Sequence, residues 1–146
     1  MPVGSSSTGS ISKKYLDADS DYMAQKALLN RARQDYIAQQ NFAKSGYNKK
    51  YLMDLNTHNT NRTAAVGDQE NDYAARGMMQ SGLYGDAVQK TANDWNQRKS
   101  GLELAKAQYI GGLKNDLTNF TSQQTIVDTQ AQQEAAARRA ARYGIV

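Results

Sequence analysis

The chain has 146 residues, of which 39% are hydrophobic, and it contains one proline and no cysteine. The absence of cysteine excludes a disulfide scaffold, a thiolate metal site and a cysteine nucleophile. The net charge is +4, and most basic residues alternate with acidic ones, which is typical of solvated helix faces rather than of a nucleic-acid-binding patch. There is no long apolar run and no charged-then-apolar leader, so we expect neither a membrane span nor a secretory signal peptide.

The composition predicts an all-α fold with little core of its own. Ala and Gln are abundant and favour helices, and proline is confined to position 2. These residues bury little apolar surface. Burial contributes roughly 25 cal/mol per Å², whereas ordering the backbone costs about 1–2 kcal/mol per residue. We therefore expect long helices that become ordered in an oligomeric assembly.

The beginning of the sequence predicts an arm followed by a helix. Residues 1–12 are rich in Gly, Ser and Thr and predict a flexible N-terminal arm, with Ser10 or Ser12 capping the helix that follows. The first helical arm is predicted over 13–76, with a break near 45–46, where a serine precedes a glycine. Within it, the polar segment 56–67 is typical of a loop or of a fully solvated helix.

A seven-residue apolar step runs along the first arm. Such a step is typical of a coiled coil, because it keeps one narrow stripe (the seam) facing a partner helix. The seam is rich in Tyr and Ala rather than in Leu and Ile, so we expect close and partly polar packing. Tyr is enriched at protein interfaces, which makes these residues interface candidates. The seam positions of this arm are Tyr15, Tyr22, Leu29 and Tyr36.

A glycine-rich corner is predicted over 77–85. Gly77, Gly82 and Gly85 lie within nine residues, and inside a helix each glycine would cost about 1 kcal/mol relative to alanine. Ser81 is the predicted cap of the next helix. The corner would join two helical arms, which could then form a helical hairpin.

The second long helical arm is predicted over 86–143, and 144–146 form a short tail. Its seven-residue step shifts by four residues near Gly111 and Gly112. This shift is a stutter, which locally unwinds a supercoil without ending the helix. Trp95 lies on the step and is a candidate interface anchor. The seam positions are Val88, Trp95, Leu102 and Tyr109 before the shift, and Leu113, Phe120 and Val127 after it.

The residues predict no catalytic, cofactor or metal site. His58 is the only histidine, which excludes a His-based triad within one chain, and its polar neighbours favour a solvated surface position. Asp17, Asp19 and Asp21 lack the glycine turn and distal glutamate of a calcium loop and suit the first turns of a helix. We therefore expect a protein that is not an enzyme and that binds no cofactor and no metal.

Three arginines near the end of the sequence are the remaining candidates for a binding site. Arg138, Arg139 and Arg142 lie in an alanine-rich helix with no acidic residue after Glu134. Arginine pairs bidentately with phosphate, so these residues could contact DNA. They could equally bind acidic residues of a neighbouring subunit, or favour the dipole at the helix C-terminus.

The glycine-rich corner carries a family resemblance. Residues 73–82, with the sequence YAARGMMQSG, resemble an A-R-G-x-x-x-S-G pattern that recurs in small helical virion proteins of tailed bacteriophages. These are proteins of the tail, connector and minor-structural group. The resemblance implies a non-enzymatic subunit, present in several copies and ordered by a portal, tail or internal-core environment. It implies no catalytic residues.

The predicted function is accordingly that of a structural subunit of a bacteriophage virion, assembled in the host cytoplasm. Its expected partners are copies of itself and other virion proteins of the portal, tail or interior. The alternative is a basic helical protein that contacts DNA through its C-terminal arginines. A third hypothesis, membrane contact during delivery, is disfavoured because the helices have only weakly apolar faces.

Overall fold

The computed structural model describes residues 13–143, which form three helices. Helix α1 comprises Lys13–Ala18, α2 comprises Ser20–Ala75, and α3 comprises Gly82–Tyr143. No strand occurs in this range. The predicted all-α fold is confirmed. The N-terminal arm over 1–12, its capping serines and the tail over 144–146 lie outside the described residues.

A capping aspartate separates α1 from α2. The Tyr22 backbone N–H donates to Asp19 Oδ1 at 2.8 Å, three residues along, which is the bond expected of an N-cap residue. The Met23 N–H donates to the Asp19 carbonyl at 3.0 Å, the first bond of the α2 ladder. From the sequence, Asp19 was expected only to favour the helix dipole. Its role as the N-cap of α2 is a finding of the structure.

The predicted break near 45–46 is wrong, because helix α2 continues through Ser45 and Gly46. For the polar segment 56–67, the structure has the helical alternative rather than the loop, although His58 within it is buried. A glycine at position 46 lowers helix stability by only about 1 kcal/mol relative to alanine. The backbone hydrogen bonds of the helix on both sides of it outweigh this cost. Polar side chains in the 56–67 segment bond within the helix instead, as when Thr63 Oγ1 donates to the Asn59 carbonyl at 3.0 Å.

The turn between α2 and α3 is shorter than the predicted corner. Gly77 has a φ of 67°, the left-handed region that favours glycine. The Met78 N–H donates to the Tyr73 carbonyl at 2.8 Å, and the Gly77 N–H donates to Ala74 at 3.0 Å. These two bonds form a Schellman C-terminal motif.

Ser81 closes the turn on its other side. The Tyr84 N–H donates to Ser81 Oγ at 3.2 Å, so the predicted N-cap is present. Helix α3 therefore begins at Gly82, and Gly82 and Gly85 belong to its first turns rather than to the corner. The predicted start of the second arm at residue 86 is four residues late, because a good serine cap outweighs the low helix propensity of the two glycines.

The two glycines at positions 77 and 85 should respond to alanine with opposite signs. We expect Gly77→Ala to lower the free energy of unfolding by about 1 kcal/mol, because L-residues are strained at positive φ. Gly85→Ala should raise it by up to about 1 kcal/mol, because Gly85 is helical and an added Cβ would meet nothing within 4 Å. Urea unfolding followed by circular dichroism measures both. Equal effects of the two variants would contradict the assignment of the turn.

The described residues divide into two packed units. The first contains residues 13–41 and 113–143, and the second contains residues 42–112. Helices α2 and α3 contribute one segment each to both units. Across the described range, four hydrophobic side chains are buried, and all four lie in the first unit: Leu16, Tyr22, Ala131 and Ala135.

Candidate functional site

The most distinctive feature of each unit is a polar and aromatic interface between its α2 and α3 segments. In the first unit, the buried Tyr22 hydroxyl donates to Asp128 Oδ1 at 2.9 Å. Lys26 Nζ lies 3.4 Å from the same oxygen, and Gln132 Nε2 donates to Asp128 Oδ2 at 3.0 Å. Burial, followed by the neighbouring Asp128 carboxylate, raises the pKa of Tyr22. Tyr22 therefore remains a neutral donor to this carboxylate.

One of the three C-terminal arginines pairs with the capping aspartate of the same chain. Arg138 Nη2 and Nε donate to the two carboxylate oxygens of Asp19 at 2.7 and 3.1 Å, a bidentate arrangement. The hydrogen bond from Arg138, together with the Tyr22 amide, holds the pKa of Asp19 below its usual value. The Nε and Nη2 edge of the Arg138 guanidinium group is therefore already paired with a carboxylate of the same chain.

Low pH should weaken the ion pair between Asp19 and Arg138, and the variant Asp19→Asn measures how much the charge of Asp19 contributes to stability. Because the folded pKa of Asp19 lies below its unfolded value, its contribution to stability is present above about pH 4 and is lost as the pH falls through the folded pKa. Asp19→Asn keeps a good N-cap but removes the charge. We expect lower stability than wild type at pH 7 and nearly equal stability at pH 2, measured by urea unfolding. A constant difference between the two proteins across this range would contradict the pairing.

A second arginine of the cluster stacks on a tyrosine. The Arg139 guanidinium carbon lies 3.1 Å from the centre of the Tyr15 ring and 5.5 Å from that of Tyr143. The hydrogen bond and positive charge of Arg139 lower the pKa of Tyr15. Tyr15 was predicted as a seam residue, but its side chain is exposed. The Arg139 guanidinium group, which belongs to the facing helix α3, covers its ring. Arg142 is exposed on the same stretch of α3.

Glutamine side chains form hydrogen bonds between α2 and α3 in the middle of the first unit. Gln124 Nε2 donates to the Leu29 carbonyl at 2.8 Å, and the buried Gln40 Nε2 donates to the Leu113 carbonyl at 2.6 Å. Each bond joins a side chain of one helix to the backbone of the other. The Tyr36 and Phe120 rings stack between them, with 4.1 Å between ring centres and 7° between planes. Four of the predicted seam residues therefore lie at contacts between α2 and α3, Tyr36 and Phe120 through their rings and Leu29 and Leu113 through their backbone carbonyls.

The second unit repeats this combination of stacked rings and polar side chains. Tyr47 stacks on Tyr109 with 4.3 Å between ring centres. Lys106 Nζ lies 4.5 Å from the centre of the Tyr51 ring and donates to Asn48 Oδ1 at 3.3 Å. An ammonium over an aromatic face is attractive because the face is electron-rich. Two of the predicted seam residues lie here: Tyr109 contacts α2 through its stacked ring, and Leu102 is half-buried on the same helix.

The prediction of a solvated surface position for His58 is wrong. His58 is only 7% exposed, and its Nε2 donates to the Trp95 carbonyl at 2.9 Å. Its ring meets the Trp95 ring edge-on at 5.1 Å, while the Arg98 guanidinium lies 4.5 Å over that indole. The polar neighbours in sequence point outward, whereas His58 follows Tyr47 and Tyr51 at helical spacing. That spacing was the signal available in the sequence.

Two predicted seam residues of α3, Val88 and Val127, are exposed within a single chain, so their role as interface residues stays a prediction about contacts between copies. On α3 in the first unit, Ala131 and Ala135 are buried, and half-buried positions recur around them at three- and four-residue spacing, as expected of one face of a helix. In the second unit, the half-buried neighbours of Val88 on α3 are Tyr84, Ala87 and Thr91.

The contacts between α2 and α3 in each unit hold the two helices together. Within residues 13–143, no group of three or more His, Cys, Asp or Glu side chains could hold a metal ion. No helix of the described range is long and apolar enough to cross a membrane. Comparison of the chain with protein-family models, curated proteins and solved structures gives no match.

Proposed function

We propose that this chain is a non-enzymatic structural subunit of a bacteriophage virion, present in several copies and ordered by its neighbours. The observation that carries the proposal is the scarcity of buried apolar side chains: among residues 13–143, only Leu16, Tyr22, Ala131 and Ala135 are buried. So small a core offsets little of the entropy cost of ordering the backbone, and contacts with neighbouring subunits would supply the rest.

The nature of the exposed surface supports the same proposal. Large hydrophobic side chains are exposed in both units, Phe42 most of all, whereas only four hydrophobic residues are buried among residues 13–143. Within each unit the contacts between helices are mostly hydrogen bonds, stacked rings and cation–aromatic pairs. Such contacts fix the register of two helices but remove little apolar area from water.

We further propose that the two arms form a helical hairpin with a coiled-coil-like seam. In each unit the contacts run in opposite directions along α2 and α3, as from Tyr22–Asp128 to Tyr36–Phe120 in the first. The turn at Gly77 and Ser81 joins the arms. These two residues, which carry the resemblance to phage virion proteins, have the roles of helix C-terminal glycine and N-cap.

The proposed partners are further copies of the chain and portal, tail or internal virion proteins. The DNA-contacting alternative is less favoured, because Arg138 is paired with Asp19 and Arg139 is stacked on Tyr15. Of the three arginines, only Arg142 has neither contact. One exposed arginine would supply little of the phosphate neutralisation on which DNA binding depends.

The proposal is tested on particles produced from the genome that encodes this chain. Purified virions are analysed by quantitative mass spectrometry, with the capsid protein as the internal standard. We expect several copies of the chain per particle, retained after nuclease treatment and a high-salt wash. Its absence from washed particles would overturn the proposal. Release by nuclease or salt would favour the DNA-contacting alternative.

A further inference from the structure

One surface in the first unit is a groove without a helix to fill it. It lies between α2 and α3 and has a volume of about 480 Å³. Its lining is mainly aliphatic, with Leu28 exposed by 66% and Val127 by 45%, but it also includes the polar side chains of Gln25, Gln130 and Glu134. Grooves of this kind between two helices bind a third helix through residues spaced at i, i+4 and i+7. Besides Gln25 and Gln130, the groove is lined by Leu28, Leu29, Ala32, Val127, Ala131 and Glu134.

A second surface, in the second unit, has the complementary pattern. The face of α2 that points away from α3 carries Phe42, exposed by 83%, and Met53, exposed by 70%. Gly46 and Lys49 lie between them on the same face and are also exposed. These four residues form the outer stripe. Single exposed apolar side chains are ordinary, but Phe42 and Met53 share one helix face, and clustered apolar side chains mark interaction sites.

We infer that the outer stripe of one copy docks into the groove of a second copy. On α2, Lys49 follows Phe42 by seven residues, and on α3, Glu134 follows Val127 by seven residues. Both intervals span about 10.5 Å of helix. A stripe lying parallel to α3 therefore brings Phe42 to Val127 and Leu28 at the same time as it brings Lys49 to Glu134.

The charges and the glycine of the stripe fit this arrangement. Lys49 and Glu134 carry opposite charges, and among residues 13–143 neither forms an ion pair within the chain. Gly46 comes four residues after Phe42, so the middle of the stripe carries no side chain. Nothing in the chain approaches the position of a Gly46 Cβ within 4 Å. The absence of a side chain at Gly46 would allow the backbone of α2 to come close to a second copy of the chain.

The contact joins two different surfaces, so it can be repeated. Each copy offers one stripe and one groove, and a head-to-tail contact of this kind closes into a ring or continues as a filament. The inference rests on the proposed multi-copy function and deepens it by naming the surfaces.

Charge reversal tests the contact. We expect Lys49→Glu and Glu134→Lys each to weaken self-association about tenfold, because like charges then face each other. An equimolar mixture of the two variants should recover wild-type association, since each stripe then meets a groove of opposite charge. Sedimentation velocity at equal total concentration measures all three samples. Lys90→Glu, an exposed residue outside both surfaces, is the matched control for net charge.

The outcomes separate this inference from the proposed function. If the wild-type protein associates but the single variants associate equally well, or the mixture does not recover, the stripe-and-groove contact is wrong while the multi-copy function stands. If the wild-type protein stays monomeric at every concentration, both are overturned. A second measurement uses the absence of cysteine from the chain. Copies with Lys49→Cys mixed with copies with Glu134→Cys should form a crosslinked dimer on oxidation, and a mixture that stays monomeric contradicts the contact.

Discussion

Replacing Tyr22 by alanine is expected to lower the free energy of unfolding by about 3 kcal/mol, the largest loss at any single position. Tyr22 is the largest of the four buried hydrophobic side chains. Its ring fills the space between α2 and α3 in the first unit, and its hydroxyl satisfies Asp128. Urea unfolding followed by circular dichroism, at one fixed protein concentration, measures the loss.

Phenylalanine at this position separates the ring from its hydroxyl group. Tyr22→Phe should cost only about 1 kcal/mol, because Asp128 keeps Lys26 and Gln132 as partners. An alanine variant no less stable than the phenylalanine variant would show that the ring is not part of a packed interface.

The second large effect is expected at Trp95 in the second unit. We expect Trp95→Ala to lower the free energy of unfolding by about 2 kcal/mol, somewhat less than for a fully buried tryptophan. The change removes the indole from between His58 and Arg98, leaving the buried imidazole without its aromatic neighbour. Thermal unfolding followed by tyrosine fluorescence and circular dichroism measures the effect.

Val88 provides a control on the same helix. It shares the predicted seven-residue step with Trp95 but is exposed. We therefore expect Val88→Ala to change the free energy of unfolding by less than about 0.5 kcal/mol. Similar losses of unfolding free energy for Val88→Ala and Trp95→Ala would indicate that both side chains are packed to the same extent. That result would contradict the observed exposure of Val88.

Features that depend on local sequence were predictable. The scarcity of proline and the abundance of Ala and Gln sufficed for an all-helical fold. The left-handed Gly77 and the capping Ser81 follow from chemistry within a few residues of each position. The seven-residue step itself was visible in the sequence, but whether it faces a helix of the same chain or of another copy was not.

Features that depend on a partner helix were not predictable from one sequence. Gly46 predicted a break, and the 56–67 segment left a loop and a helix open, because low helix propensity is local and the packing that outweighs it is not. His58 was assigned to solvent by its polar neighbours, although the carbonyl that binds it is 37 residues away. The sequence offered Arg138 three kinds of partner, and the pairing with Asp19 spans 119 residues.

The mass of the wild-type protein in solution tests the central claim most directly. Sedimentation equilibrium over a hundredfold range of concentration, paired with thermal unfolding at each concentration, reports both association and its link to stability. We predict a mass that rises above 16.1 kDa with concentration, and a melting temperature that rises with it. A monomer of constant mass, with one sharp melting transition independent of concentration, would contradict the account.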